Sequence, residues 1–130
     1  MQQYRPKVYV VDDEQVIAET LATILNQAGF LASAFADPRR ALLAASSGSS
    51  PDLLISDVVM PGMSGIELAM EFRRMYPQCR VLLFSGQAST ATLLESARRE
   101  GYDFEVLSKP VHPTDLLARL RMELQNREDG

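Results

Sequence analysis

Short apolar runs alternate along this chain with longer stretches in which hydrophobic side chains recur every three or four positions. The run "KVYVVD" reads as a strand ending in acid, and "EQVIAETLATILNQAG" then places Val16, Ile17, Leu21, Ile24, Leu25 and Ala28 on one helical stripe, with Gly29 as its stop. "FLASAFA" alternates with the period of a strand, and "DPRRALLAAS" opens a helix with Asp37 as cap and Pro38 in the first turn. After the loop "GSSPD", the wholly apolar "LLIS" predicts a central strand covered on both faces. The helix "SGIELAMEFRRMY" carries a capping box, Ser64 with Glu67, and a stripe of Ile66, Leu68, Ala69 and Phe72. Strand "RVLLFS", helix "TATLLESARRE", strand "FEVLS" and helix "PTDLLARLRMELQ" complete the series.

Strands and helices alternating in this way call for an α/β domain, a parallel sheet with helices on both faces, because parallel strands need right-handed crossover connections. The first strand-to-helix turn reads "VDDEQ" where a dinucleotide fold carries a Gly-rich fingerprint, and the chain is too short for both halves of a Rossmann domain. With 130 residues, 46% of them hydrophobic, one core is expected. A net charge of −4 gives no electrostatic footprint for nucleic acid or an anionic membrane surface. Cys79 is the only cysteine, which excludes an internal disulfide and a cysteine-built zinc site. The first residues, "MQQYRPK", are polar and no apolar run approaches the ~20 residues that span a bilayer, so a cytoplasmic location is expected.

In a doubly wound sheet, ligands gather at the carboxyl ends of the strands. The first strand ends in Asp12 and Asp13, the third in Asp57, the fourth in Ser85 and the fifth in Lys109. Crowded carboxylates raise one another's pKa unless positive charge is present; Lys109 supplies some, and oxygen-only ligands favour Mg²⁺ or Mn²⁺ for the rest. Taken singly each residue has a plainer role. Asp12 or Asp13 could cap the first helix, Asp57 could be a turn residue before "MPG", and Lys109 a solvated lysine. The pairs Arg73 with Arg74 and Arg98 with Arg99 fall near helix C-termini, where cations offset the helix dipole. His112, near the start of the last helix, reads as a local polar contact or a surface residue and not as a phosphorylated histidine.

Together, "VYVVDDE", "LLISDVVMPGMSGIEL", "VLLFSGQ" and "VLSKP" resemble the receiver domain of two-component response regulators over essentially the whole chain. The fold this implies is flavodoxin-like, a (βα)5 doubly wound sheet in strand order 2-1-3-4-5. The resemblance implies that Asp57 is a phosphoacceptor served by a sensor histidine kinase or phosphotransfer protein. It implies that Asp12, Asp13, Asp57 and the main-chain carbonyl of Val59 hold Mg²⁺, and that Ser85 and Lys109 contact the phosphoryl group. It also implies a cis Lys109–Pro110 bond and side chains at Val59 and Gln87 that flank the water hydrolysing the acyl phosphate. Receivers often signal through their fourth helix, fifth strand and fifth helix, where Leu117, Leu120 and Met122 are candidates for a partner surface.

The chain departs from the family in carrying Val106 where a Tyr or Phe is usual, three residues before the lysine. Phosphorylation is therefore expected to act through the loop after Ser85 and the segment Tyr102 to Val106, without an aromatic swing. Only "NREDG" follows the last helix, so a single receiver domain, residues 1–130 with a core at about 6–126, and no output domain are expected. Two other readings stay open. An Asp-nucleophile phosphatase uses similar residues but places a general acid where Val59 stands, and a pseudo-receiver would bind a partner without taking phosphate.

Overall fold

Five short strands and five helices alternate in the computed structural model, which describes residues 4–48, 50–86 and 90–129. Gln87 and Ser49 of the expected 48–52 loop lie outside the described residues, as do the first residues of "MQQYRPK" and the last of "NREDG". The elements are β1 (Lys7–Val11), α1 (Gln15–Gln27), β2 (Leu31–Phe35), α2 (Pro38–Ser47), β3 (Leu53–Asp57), α3 (Gly65–Met75), β4 (Arg80–Ser85), α4 (Thr90–Arg99), β5 (Glu105–Ser108) and α5 (Pro113–Asp129). All neighbouring strands pair in parallel, in the order β2-β1-β3-β4-β5. The order reverses between β1 and β3, so the ends of these two strands flank the switch point.

Strand alternation divides the core in two. Tyr9, Val11, Leu54, Val81 and Leu83 pack with Ala41, Ala45, Ile66, Leu68 and Phe72 under α2, α3 and α4. Val8, Val10, Leu53, Ile55, Leu82 and Phe84 pack on the other face with Ala18, Ala22, Leu25, Leu116 and Leu120 from α1 and α5. β3 is buried on both faces from Leu53 to Ser56, as its unbroken apolar run predicts. β2 is an edge strand with no fully buried residue, which explains its weak pattern. Fully burying a leucine contributes roughly 1.5–3 kcal/mol, so this double layer is what holds the strand ends at fixed spacings.

Local signals agree with most expected boundaries; the exception is the last helix, expected to stop before "NREDG", where α5 runs on to Asp129. Gly29, at φ +101°, closes α1: its N–H donates to Asn26 O and the Phe30 N–H to Leu25 O, a left-handed cap that a side chain would strain. Asp37 accepts the Arg39 N–H, and Ser64 and Glu67 form the reciprocal capping box. Two expectations need correction. Val16 is 75% exposed and does not belong to the buried stripe. The stripe is built on Ala18, Ala22 and Leu25, and Val16 lies about 200° around the helix from Ala18. Leu120 is fully buried against the sheet and cannot form part of a partner surface, while Met122 is exposed and Leu117 half-buried.

Candidate functional site

The parallel strands end on one rim, and β1, β3, β4 and β5 each bring chemistry-bearing residues to it. β1 delivers Asp12, which is 2% exposed and whose N–H donates to Phe35 O of β2. Asp12 Oδ1 accepts the Glu14 N–H at 2.9 Å. Glu14 is the N-cap residue of α1 and makes no side-chain cap bond, so neither Asp12 nor Asp13 caps the helix in the usual way. Asp12 Oδ2 is buried and accepts no hydrogen bond, although Lys109 Nζ lies 3.6 Å away. Asp13 is exposed beside it. β3 delivers Asp57, whose Oδ1 accepts the Val58 N–H at 3.0 Å and lies 3.2 Å from Lys109 Nζ. One carboxylate oxygen from each of Asp12, Asp13 and Asp57 falls within 4.8 Å of the others.

Backbone packing fixes this arrangement. The Gly65 N–H donates to Val58 O at 2.8 Å, and a Cβ at Gly65 would lie 1.9 Å from Asp57 O. Only glycine lets α3 approach the acid-bearing strand so closely. The Lys109 N–H donates to Ser85 O at 2.9 Å, and the Lys109–Pro110 bond is cis. A cleft of about 320 Å³ opens over the rim, lined by Asp13, Glu14, Asp57, Val59, Gly86 and Lys109.

Burial pushes the Asp57 carboxyl above its usual pKa, against the lowering influence of Lys109 and with the negative charge of Asp12. Burial alone would lower Lys109, but the charges of Asp57 and Asp12 outweigh it and hold the ammonium above the ordinary lysine value. The two directions are compatible: burial is the largest influence on Asp57, while the charges of two acids act together on one lysine. Three hard oxygen donors, one a buried oxygen without a hydrogen bond, fit a small divalent cation of the Mg²⁺ type.

Ser85 stands at the end of β4 as expected, but its hydroxyl is hydrogen-bonded to Thr90 Oγ1 at the start of α4, and Ser85 does not line the cleft. Sequence reasoning missed Thr90; nothing in "TATLLES" tells that its hydroxyl turns back to the strand. His112 accepts the Thr114 N–H at Nδ1, a local contact. Arg73, Arg74, Arg98 and Arg99 occupy the last turns of α3 and α4. Val106 and the buried Phe104 pack on the same face, with Phe104 stacked on Tyr102 at 5.8 Å.

A family model of the response regulator receiver domain matches residues 8–121. The chain belongs to the response regulator receiver family. It is 31% identical over 121 residues to the transcriptional regulatory protein FixJ of Bradyrhizobium diazoefficiens, covering 93% of this chain and 58% of that protein. It is 30% identical over 129 residues to the DNA-binding response regulator MtrA of Mycolicibacterium smegmatis, covering 99% and 55%. The chain thus spans about half the length of these curated relatives. Among solved structures, the signal receiver domain of an HD domain-containing protein from Pseudomonas fluorescens Pf-5 superposes with a TM-score of 0.86 at 29% identity, covering 98% of this chain and 100% of that one. The Vibrio cholerae chemotaxis protein CheY4 superposes with a TM-score of 0.79 at 30% identity, covering 92% and 98%. As a receiver, the chain is a signalling domain of two-component systems, a family whose members bind Mg²⁺ and interact with histidine kinases or phosphotransfer proteins. No helix among the described residues is long and apolar enough to cross a membrane.

Proposed function

We propose that residues 6–126 form a phosphoacceptor receiver that takes a phosphoryl group from a histidine kinase or phosphotransfer protein onto Asp57. The observation that carries this reading is the placement of Asp57, at the end of the central strand, 3.2 Å from Lys109 Nζ and within 4.8 Å of the Asp12 and Asp13 carboxylates. An Asp57 carboxylate oxygen attacks the phosphorus of a phosphohistidine; the P–N bond breaks, the imidazole leaves, and an acyl phosphate remains on Asp57. Lys109 neutralises charge on the phosphoryl oxygens, and Ser85 donates its hydroxyl to one of them. Asp12, Asp13, Asp57 and the Val59 carbonyl would hold Mg²⁺, which supplies electrostatic stabilisation of the charge on those oxygens.

The domain is a signalling module and not a turnover enzyme: it modifies itself, in the cytoplasm, and hands the change to a protein partner through α4, β5 and α5. Val59 stands where an Asp-nucleophile phosphatase would carry its general acid, and its apolar side chain on the cleft wall supplies no proton. Incubation with acetyl phosphate and Mg²⁺ followed by mass spectrometry of the intact chain is expected to show a phosphorylated species with a measurable lifetime. Steady release of phosphate without an accumulating adduct would make it a phosphatase, and no adduct at all a pseudo-receiver.

Val59 also sets the expected lifetime. It is 44% exposed at the cleft and offers an in-line water no hydrogen bond, so the acyl phosphate should persist longer here than beside a polar side chain. Val59→Asn is expected to speed decay of the labelled protein; slower decay in the variant would contradict this.

A further inference from the structure

Thr90 is the first residue of α4 and, with Ala97, one of only two of the helix's ten residues that are buried. Its hydroxyl is engaged with Ser85, which is itself 8% exposed. The cleft beside Asp57 does not include Ser85 on its wall. The hydroxyl that the receiver reading assigns to the phosphoryl group is therefore held on the α4 side in this structure. The Ser85 side chain is short, so turning its hydroxyl toward the rim carries the oxygen away from Thr90, whichever of the two donates.

Resting on the receiver reading above, we propose that Thr90 is a positioning residue for Ser85: the Ser85–Thr90 hydroxyl pair is a latch that holds the unphosphorylated state and ties α4 to the phosphorylation site. Moving Ser85 onto a phosphoryl oxygen leaves the buried Thr90 hydroxyl without its partner, a cost that opposes phosphorylation and is relieved when the first turn of α4 shifts. Such a link replaces the aromatic swing that Val106 cannot perform, because it acts at the amino end of α4 and needs no space at position 106. α4 has little other buried surface to resist the shift.

The test is the affinity for beryllofluoride with Mg²⁺, measured by calorimetry on the whole chain. Thr90→Val keeps the shape and removes the hydroxyl. It takes away the bond between the two hydroxyls in the free protein and removes the cost of abandoning Thr90 in the bound one. Binding should tighten roughly two- to tenfold, the equivalent of one net hydrogen bond. Thr90→Ser, which restores the hydroxyl, should bind like the unsubstituted protein. In a Ser85→Ala background Thr90→Val should change nothing, because the pair is already broken. A merely structural Thr90 would lower thermal stability without altering affinity, or would alter it equally in both backgrounds; either result, or weaker binding in Thr90→Val, overturns the latch. Failure of the unsubstituted protein to bind beryllofluoride at all would instead overturn the receiver reading, and the latch with it.

Discussion

Asp57→Asn is expected to carry no phosphoryl adduct after incubation with acetyl phosphate and Mg²⁺, under conditions that label the unsubstituted chain. An amide oxygen is a poor nucleophile beside a carboxylate, so the substitution removes the reaction while keeping the shape. The amide oxygen of the variant can still accept the Val58 N–H that Asp57 Oδ1 accepts now. The substitution also relieves part of the repulsion among the three acids, so loss of labelling should not coincide with loss of fold. Circular dichroism of the variant separates the two. Asp12 is buried and holds Glu14 and Lys109, and Asp13 is exposed at the edge of the cleft. Undiminished labelling of the variant, or a phosphoryl group mapped to Asp13 in the unsubstituted chain, would remove Asp57 from the role.

Excess chelator is expected to reduce labelling by a small phosphodonor on the order of 10²-fold or more. Compensation of charge by a metal ion contributes several kcal/mol, at ~1.4 kcal/mol per tenfold in rate. The need is visible in the count of charges: three carboxylates, with one oxygen from each within 4.8 Å of the others, face a single ammonium, that of Lys109, 3.2 Å from Asp57 and 3.6 Å from Asp12. A further anion approaching this rim would meet net negative charge. Asp13→Asn should weaken Mg²⁺ binding several-fold in a direct titration, independently of labelling. Lys109→Ala should leave Mg²⁺ binding largely in place and impair phosphorylation, because the ammonium faces the acids and cannot be a metal ligand. Labelling unchanged in chelator, or Mg²⁺ binding indifferent to Asp13, would refute the assignment.

Much of the rim was legible in sequence for a topological reason. In a parallel sheet every strand runs the same way, so residues that end successive apolar runs must share an edge whatever the details of packing. Asp12, Asp13, Asp57, Ser85 and Lys109 could be gathered on one edge from their positions alone. The capping residues Asp37, Ser64 and Glu67 were readable because their hydrogen bonds reach only two or three residues along the chain. Val16 and Leu120 were misplaced because periodicity marks a stripe without saying which neighbour covers it. On α1 the covered positions are partly alanines, whose small size lets the helix lie close to the sheet but barely registers in a hydrophobic pattern.

Local periodicity, capping and strand direction were thus enough to establish the alternation of elements, most of their boundaries and the identity of the rim residues. What those side chains meet was decided by packing. It left Asp12 Oδ2 buried without a hydrogen bond, brought Lys109 to both Asp12 and Asp57, pressed Gly65 against the Asp57 carbonyl and turned the Ser85 hydroxyl to Thr90. These are contacts between groups whose distance and orientation depend on how separate elements come together. A pattern of residue types along one chain carries no record of them.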